Sequence, residues 1–319
     1  MKKIPLETTL VGAYRFLFTR IVSIVGTIWF PLVLLVGLSA GLVYLVVPHE
    51  WIVGDFSHFK PEQLITLPLN LARCGIFILS LILGSMIVVG LMRHALGLKQ
   101  STTFIYFSLG ATVWRMLGAI LLGVVIMILL AIAGCLVSVA VYKFGVPLIP
   151  HAYGIAAKIA VCVVVACVLI YSAVRLFFFL PAVVVAENRI GLGRSWSLGG
   201  GNFWRIFFVW LLIVVPVGFI ASVALQLTIL PVVVMEAMKL PHKPGAKEVL
   251  VFLRSLAPLA PVIFRILILW GIAARGLLIG AIGSAYNALT AQPPAEADAP
   301  TEAAAPAEAV APAEEATSA

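Results

Sequence analysis

The residues able to do acid–base, metal or nucleophile chemistry are few and scattered. The 319-residue sequence carries thirteen acids, five histidines and four cysteines. A catalytic zinc needs histidines and a carboxylate on one face, as in HExxH, because its ligands must converge on one point. His49, His58, His94, His151 and His242 have no such partners. Cys74, Cys135, Cys162 and Cys167 lie inside apolar stretches. Cys162 and Cys167 would sit roughly 140° apart around a helix. They read as small buried hydrophobes, not as metal or redox ligands. Gly191-Leu-Gly193 and Gly199-Gly200-Gly201 lack the Lys-Ser/Thr of a phosphate loop and the strand–helix context of a dinucleotide fold. No nucleophile is accompanied by a base at catalytic spacing, so neither an enzyme nor a bound cofactor or metal is expected.

The remaining candidates are Arg73 and Arg265, the two charges set deepest in apolar sequence. Either they snorkel to the near interface, or they form an anion or lipid-phosphate site between two helices. Proton- or sodium-coupled carriers commonly place Asp or Glu inside the membrane. No acid falls within the apolar spans read below, which argues against ion coupling.

The elements that must position these residues are membrane spans. The chain is 63% hydrophobic and 11% charged, against roughly 25% charged residues in soluble domains. So much apolar side chain cannot be covered by a polar surface, whereas a bilayer needs no such cover. A helix crosses ~30 Å of hydrocarbon in about 20 residues. Six stretches qualify, near 21–47, 65–92, 115–142, 157–180, 205–235 and 262–287. The expected fold is all-α, with about six transmembrane helices and short interfacial amphipathic helices. Pro258 and Pro261 suggest a kinked or interfacial piece ahead of the last span.

The net charge is +8, with six acids and no Lys or Arg from Ala291 onward. That leaves 21 basic against 7 acidic residues, or +14, on the rest. A basic membrane body suits anionic lipid head groups as partners. The basic residues form no cluster, which argues against nucleic acid. The tail, 290–319, is rich in Ala, Pro and Glu and is expected to be disordered.

Positive charge orients the spans. With both termini inside, the inner segments hold Lys2, Lys3, Arg15, Arg20, Arg93, Lys99, Arg115, Arg175, Arg189, Arg194, Arg205 and Arg275. The outer segments hold Lys60, Lys143, Lys158, Lys239, Lys243, Lys247 and Arg254. Twelve against seven favours cytoplasmic termini. Arg20, Arg115 and Arg205 each enter an odd span, which fits three helix-pair repeats and fits equally the charge rule repeating itself. Gly37/Gly41 and Gly276/Gly280/Ser284 have the spacing that lets helices pack closely, within the chain or in a homo-oligomer.

The most informative segment is 175–210. Past Pro181 the apolar run gives way to charges. From Glu187 to Leu198, Ile190, Leu192, Trp196 and Leu198 offer an apolar side, and Arg189 and Arg194 a polar one. A helix lying in the interface is expected, stopped by the three glycines, with Trp204 and Arg205 anchoring the next span. Pro181, Glu187, Arg194-Ser195-Trp196, Leu198, Gly201 and Phe203-Trp204-Arg205 resemble the signature loop of a broad bacterial membrane family. It includes the membrane domain attached to some glycerophosphodiester phosphodiesterases and the YciC-like six-span inner-membrane proteins. The resemblance covers about 35 residues, and the soluble phosphodiesterase barrel has no counterpart here. It implies a protein of the bacterial inner membrane with a structural, accessory or envelope-homeostasis role, bound to lipids or to an unidentified membrane partner. A lipid or small-solute transporter with an arginine-lined anion site is the competing expectation.

Overall fold

The computed structural model describes residues 3–46, 67–98, 105–145, 154–238, 252 and 255–290. These are α-helical nearly throughout, with no strand among them. A short helix, α1 (Leu6–Thr19), precedes α2 (Ile21–Val46), α3 (Leu67–Ala95), α4 (Ala111–Ala140) and α5 (Gly154–Phe177). Two short helices follow, α6 (Leu180–Glu187) and α7 (Leu192–Leu198), and then α8 (Phe203–Ala237) and α9 (Ala260–Thr290). Among the described residues six segments are long and apolar enough to cross a membrane: Ile21–Val46, Pro68–Ala95, Ala111–Lys143, Ile155–Glu187, Phe203–Ala237 and Ala260–Thr290. The chain is therefore an all-α protein of multi-pass membrane type. Pro258 lies in a single 3₁₀ turn, Ala257–Leu259, and Pro261 in the first turn of α9, where proline costs no hydrogen bond. Residues 291–319 of the tail and Lys2, Lys60, Lys99, Lys239, Lys243, Lys247 and Arg254 lie outside the described residues.

α2, α3, α4, α5, α8 and α9 run alternately up and down, so their ends gather in two groups. The proximal end carries α1, α6, α7 and the last turns of α9. Buried side chains concentrate in the proximal halves: Ile24 and Ile28 of α2, Met86 to Met92 of α3, Met116 and Ala119 of α4, Ile206 to Ile213 of α8, and Leu277 to Ala285 of α9. The distal halves are rich in exposed Val, Ile and Leu, such as Leu45, Leu136, Ile155 and Leu227. Among those halves the helices still touch as hairpins. Gly75 of α3 lies against Leu42 of α2, and Gly134 of α4 against Val165 of α5.

Small residues explain why the shared core is proximal. Between helices in lipid there is no hydrophobic driving force, so close van der Waals contact decides where they pack. A Cβ at Gly90 would fall 2.6 Å from Thr27 of α2, and one at Gly123 2.7 Å from the Phe177 ring. Gly276 and Gly280 of α9 admit Leu17, Ala13 and Phe16 of α1. This small-residue face therefore packs within the chain. No atom comes within 4 Å of where a Cβ would stand on Gly37 or Gly41.

α1 is amphipathic. Thr9, Ala13 and Leu17 are buried at helical spacing, while Val11 and Phe18 are exposed on the other side. The hydroxyl of Thr9 donates to the Pro5 carbonyl at 2.7 Å, closing the first turn. α1 breaks from α2 at Arg20, whose backbone leaves the helical region at φ −116°, ψ 19°.

Candidate functional site

The polar side chains of the bundle collect where α5 turns through α6 and α7 into α8. The apolar path does not end near Pro181. That proline occupies the first turn of α6, where its missing N–H is no loss. Leu180 to Val185 are all buried, so α6 is a plug packed against α3 and α4, not a head-group segment. α6 stops because Asn188 takes the left-handed conformation, φ 51° and ψ 35°, which Asn tolerates better than most residues. The single interfacial helix expected over Glu187–Leu198 is thus two pieces joined by a turn. Gly191 in that turn leaves no room for a Cβ beside Val183. Ile190 is exposed, and Ser195, not Trp196, is the residue of α7 that is fully buried.

Glu187 is the centre of the first cluster. Its Oε2 accepts from Arg189 Nε at 2.8 Å and Nη2 at 2.6 Å. Its Oε1 accepts from Arg194 Nε at 3.3 Å and from the Tyr286 hydroxyl of α9 at 3.4 Å. The neighbouring Asn188 Oδ1 accepts from Arg115 Nη1 and, at 3.4 Å, from the Thr112 hydroxyl. Arg93 of α3 donates to Thr112 Oγ1 at 3.3 Å. One carboxylate therefore stands among four guanidiniums, a local surplus of 4 − 1 = +3. The cluster ties together α3, α4, α6, α7 and α9.

Arg175 is the centre of the second. Its guanidinium lies over the Trp196 ring at 4.1 Å and near the Tyr171 ring at 5.4 Å, donating to Tyr171 Oη at 2.7 Å and the Trp196 carbonyl at 2.8 Å. Gly199 comes so close that a Cβ there would touch the Arg175 backbone at 3.4 Å. Ser195 Oγ donates to the Leu176 carbonyl at 2.8 Å. Next to it the N-terminal strip is held from both sides. Ile4 N–H donates to Asn202 Oδ1 at 3.1 Å, and Arg205 Nη1 donates to the Ile4 carbonyl at 2.5 Å. Gly201, at φ 70°, makes the turn that presents Asn202.

Several residues singled out in 175–210 make contacts that hold the fold. Glu187 and Arg194 pair, Ser195 and Trp196 fasten α7 to α5, and Arg205 holds Ile4. Trp204 is 65% exposed on the outer face of α8. Arg73 and Arg265 stand on the distal halves, both exposed, and Arg73 Nη1 reaches Asn70 Oδ1 at 3.4 Å. Sequence reasoning did not single out Arg175, Asn188, Asn202, Thr112 or Tyr286 as partners. Only Asn188, before Arg189 at a helix end, carried a local signal.

Below this polar layer is a cavity of about 590 Å³. Leu180 and Pro181 of α6, Met116 of α4 and Ile279 of α9 form its depth, and Ala173 of α5 and Phe207 of α8 its sides. Its lining carries no ionisable side chain, and neither Arg73 nor Arg265 belongs to it. Among the described residues no group of three His, Cys, Asp or Glu could hold a metal. Gly37-Leu-Ser-Ala-Gly41 has the spacing of a nucleophile elbow, but Ser39 lies within the unbroken helix α2, not at the strand-to-helix turn that exposes such a serine. The arrangement can bind an apolar group and hold charge at one end. No family model, curated protein or solved structure matches the chain.

Proposed function

We propose that this chain is an accessory protein of the bacterial inner membrane, serving envelope structure or homeostasis and conducting no ions or solutes. The observation that carries this reading is the separation of polar from apolar groups. Glu187, Asn188 and four arginines form a cross-linked layer at one end of the bundle, and the cavity beneath them is lined without a charge. A solute path would need polar groups continuing toward mid-membrane. The resemblance over residues 175–210 supports the same role. The count of twelve inner against seven outer basic residues supports a cytoplasmic proximal end, with both termini inside.

Two measurements test this. A reporter fused after Tyr142 should be periplasmic, and a cytoplasmic signal there would overturn the orientation. Pull-down of the full chain from native membranes, with protein and lipid mass spectrometry, should return a stable membrane partner. Solute flux through reconstituted vesicles, in place of a partner, would favour the transporter reading. For an anion carrier the cavity would have to recruit Arg73 or Arg265. The size of the apolar cavity favours a narrower second reading, in which the chain handles lipid.

A further inference from the structure

We propose that the cavity is a lateral binding site for one acyl chain of an anionic glycerophospholipid, with Arg205 holding the phosphate. Its volume, about 590 Å³, falls within the roughly 300–1,000 Å³ of ligand-binding clefts. Two of its lining residues, Ile170 and Trp210, are 49% and 41% exposed, so the cavity opens where α5 and α8 face the surroundings. Its far wall is sealed: Leu180, Ile206 and Ile279 are buried. Both open-side residues lie inside apolar spans, so the opening faces hydrocarbon. An apolar cavity of this kind stays dry, and left empty its walls lose their dispersion contacts. The neighbouring molecules able to restore those contacts are lipid chains.

The head group follows from the same two helices. Arg175 comes directly after the lining residue Val174, and Arg205 directly before the lining residue Ile206. Along the backbone Arg205 therefore stands one residue proximal to the first cavity-lining residue of α8, while Arg175 falls between the lining residues Val174 and Phe177 of α5. Arg175 is clamped between Tyr171 and Trp196. Arg205 is half-buried, and its bond to Ile4 uses one of the five N–H donors a guanidinium carries. Tyr171 packs on Phe203 and Phe203 on Trp204, the residue before Arg205, an aromatic group of the kind found at head-group depth. A lipid held here suits an accessory protein and a lipid carrier alike.

The full chain, reconstituted in vesicles of phosphatidylglycerol with a diazirine at mid-acyl chain, is irradiated, and adducts are mapped by mass spectrometry. Adducts should concentrate on cavity residues, Ile279 and Ala173 above all, over the lipid-facing Phe219 and Leu227. Ala173→Phe, which fills the cavity, should lower labelling of Ile279 about fivefold while Phe219 keeps its label. Arg205→Gln should remove the preference for phosphatidylglycerol over phosphatidylcholine probe. Labelling of Ile279 no greater than that of Phe219 in the unmodified chain would overturn the site, whether or not Ala173→Phe folds. A head-group preference unchanged in Arg205→Gln would overturn the role of the arginine.

Discussion

Gly280 of α9 faces Ala13 of α1 with no space for a side chain on the glycine. A Cβ there would stand 3.1 Å from Ala13 Cα and 2.9 Å from the Phe16 ring. The amphipathic helix at the N-terminus thus docks on the last span through a glycine. Because the obstructing atoms include backbone, they cannot swing aside. Gly280→Val should cost about 1–3 kcal/mol through overpacking, read as a lower unfolding temperature in detergent.

The second small-residue pair behaves differently. A Cβ on Gly41 meets nothing within 4 Å. Gly41→Val should change stability by no more than about 0.5 kcal/mol if that face meets only lipid. Light scattering on the purified variant checks the alternative, since a dimer built on Gly37 and Gly41 would dissociate.

Glu187 is the sole carboxylate in a cluster of four guanidiniums, and its own side chain is mostly buried while Arg189 and Arg194 are largely exposed. Glu187→Gln should cost about 1 kcal/mol, toward the low end for charged hydrogen bonds because both arginines stay hydrated. Glu187→Ala should cost about 2 kcal/mol, because it also removes the acceptor of the Tyr286 hydroxyl. Equal losses in the two variants would mean that Tyr286 draws nothing from Glu187.

Arg175→Lys keeps the charge but loses the planar stack on Trp196 and the paired donation to Tyr171 Oη and the Trp196 carbonyl. It should therefore destabilise by about 1–2 kcal/mol, not behave as a conservative change. Trp196 fluorescence together with thermal unfolding measures it. A variant as stable as the parent would show that α7 is held by Ser195 alone.

Asn202→Ala removes the acceptor of the Ile4 amide while Arg205 can still reach the Ile4 carbonyl. Amide exchange at Ile4 should accelerate, with exchange inside α8 unchanged. Unaltered exchange at Ile4 would mean that burial, not this bond, protects the strip.

Six spans, the helical class and the breaks at Gly199 to Gly201 were all legible in the residues. Each rests on a local rule: the length of an apolar run, or the inability of glycine to extend a helix. Pro181 misled for the same reason. A proline after an apolar run looks like an end, yet it sits equally well in the first turn of the next helix. Whether Leu180 to Val185 face head groups or a core depends on α3 and α4, which end at Ala95 and Ala140, 85 and 40 residues before Leu180 in the chain.

Composition and periodicity by themselves determined that this chain belongs in a bilayer, because transfer of apolar side chains is additive along the sequence. Only the tertiary structure decided that the small residues of α9 receive α1, that Glu187 meets Tyr286 across 99 positions, and that an apolar cavity lies beneath the arginines. Those depend on which helix faces which. In lipid that choice is made by close packing and paired polar groups, whose partners carry no mark of each other in the linear sequence.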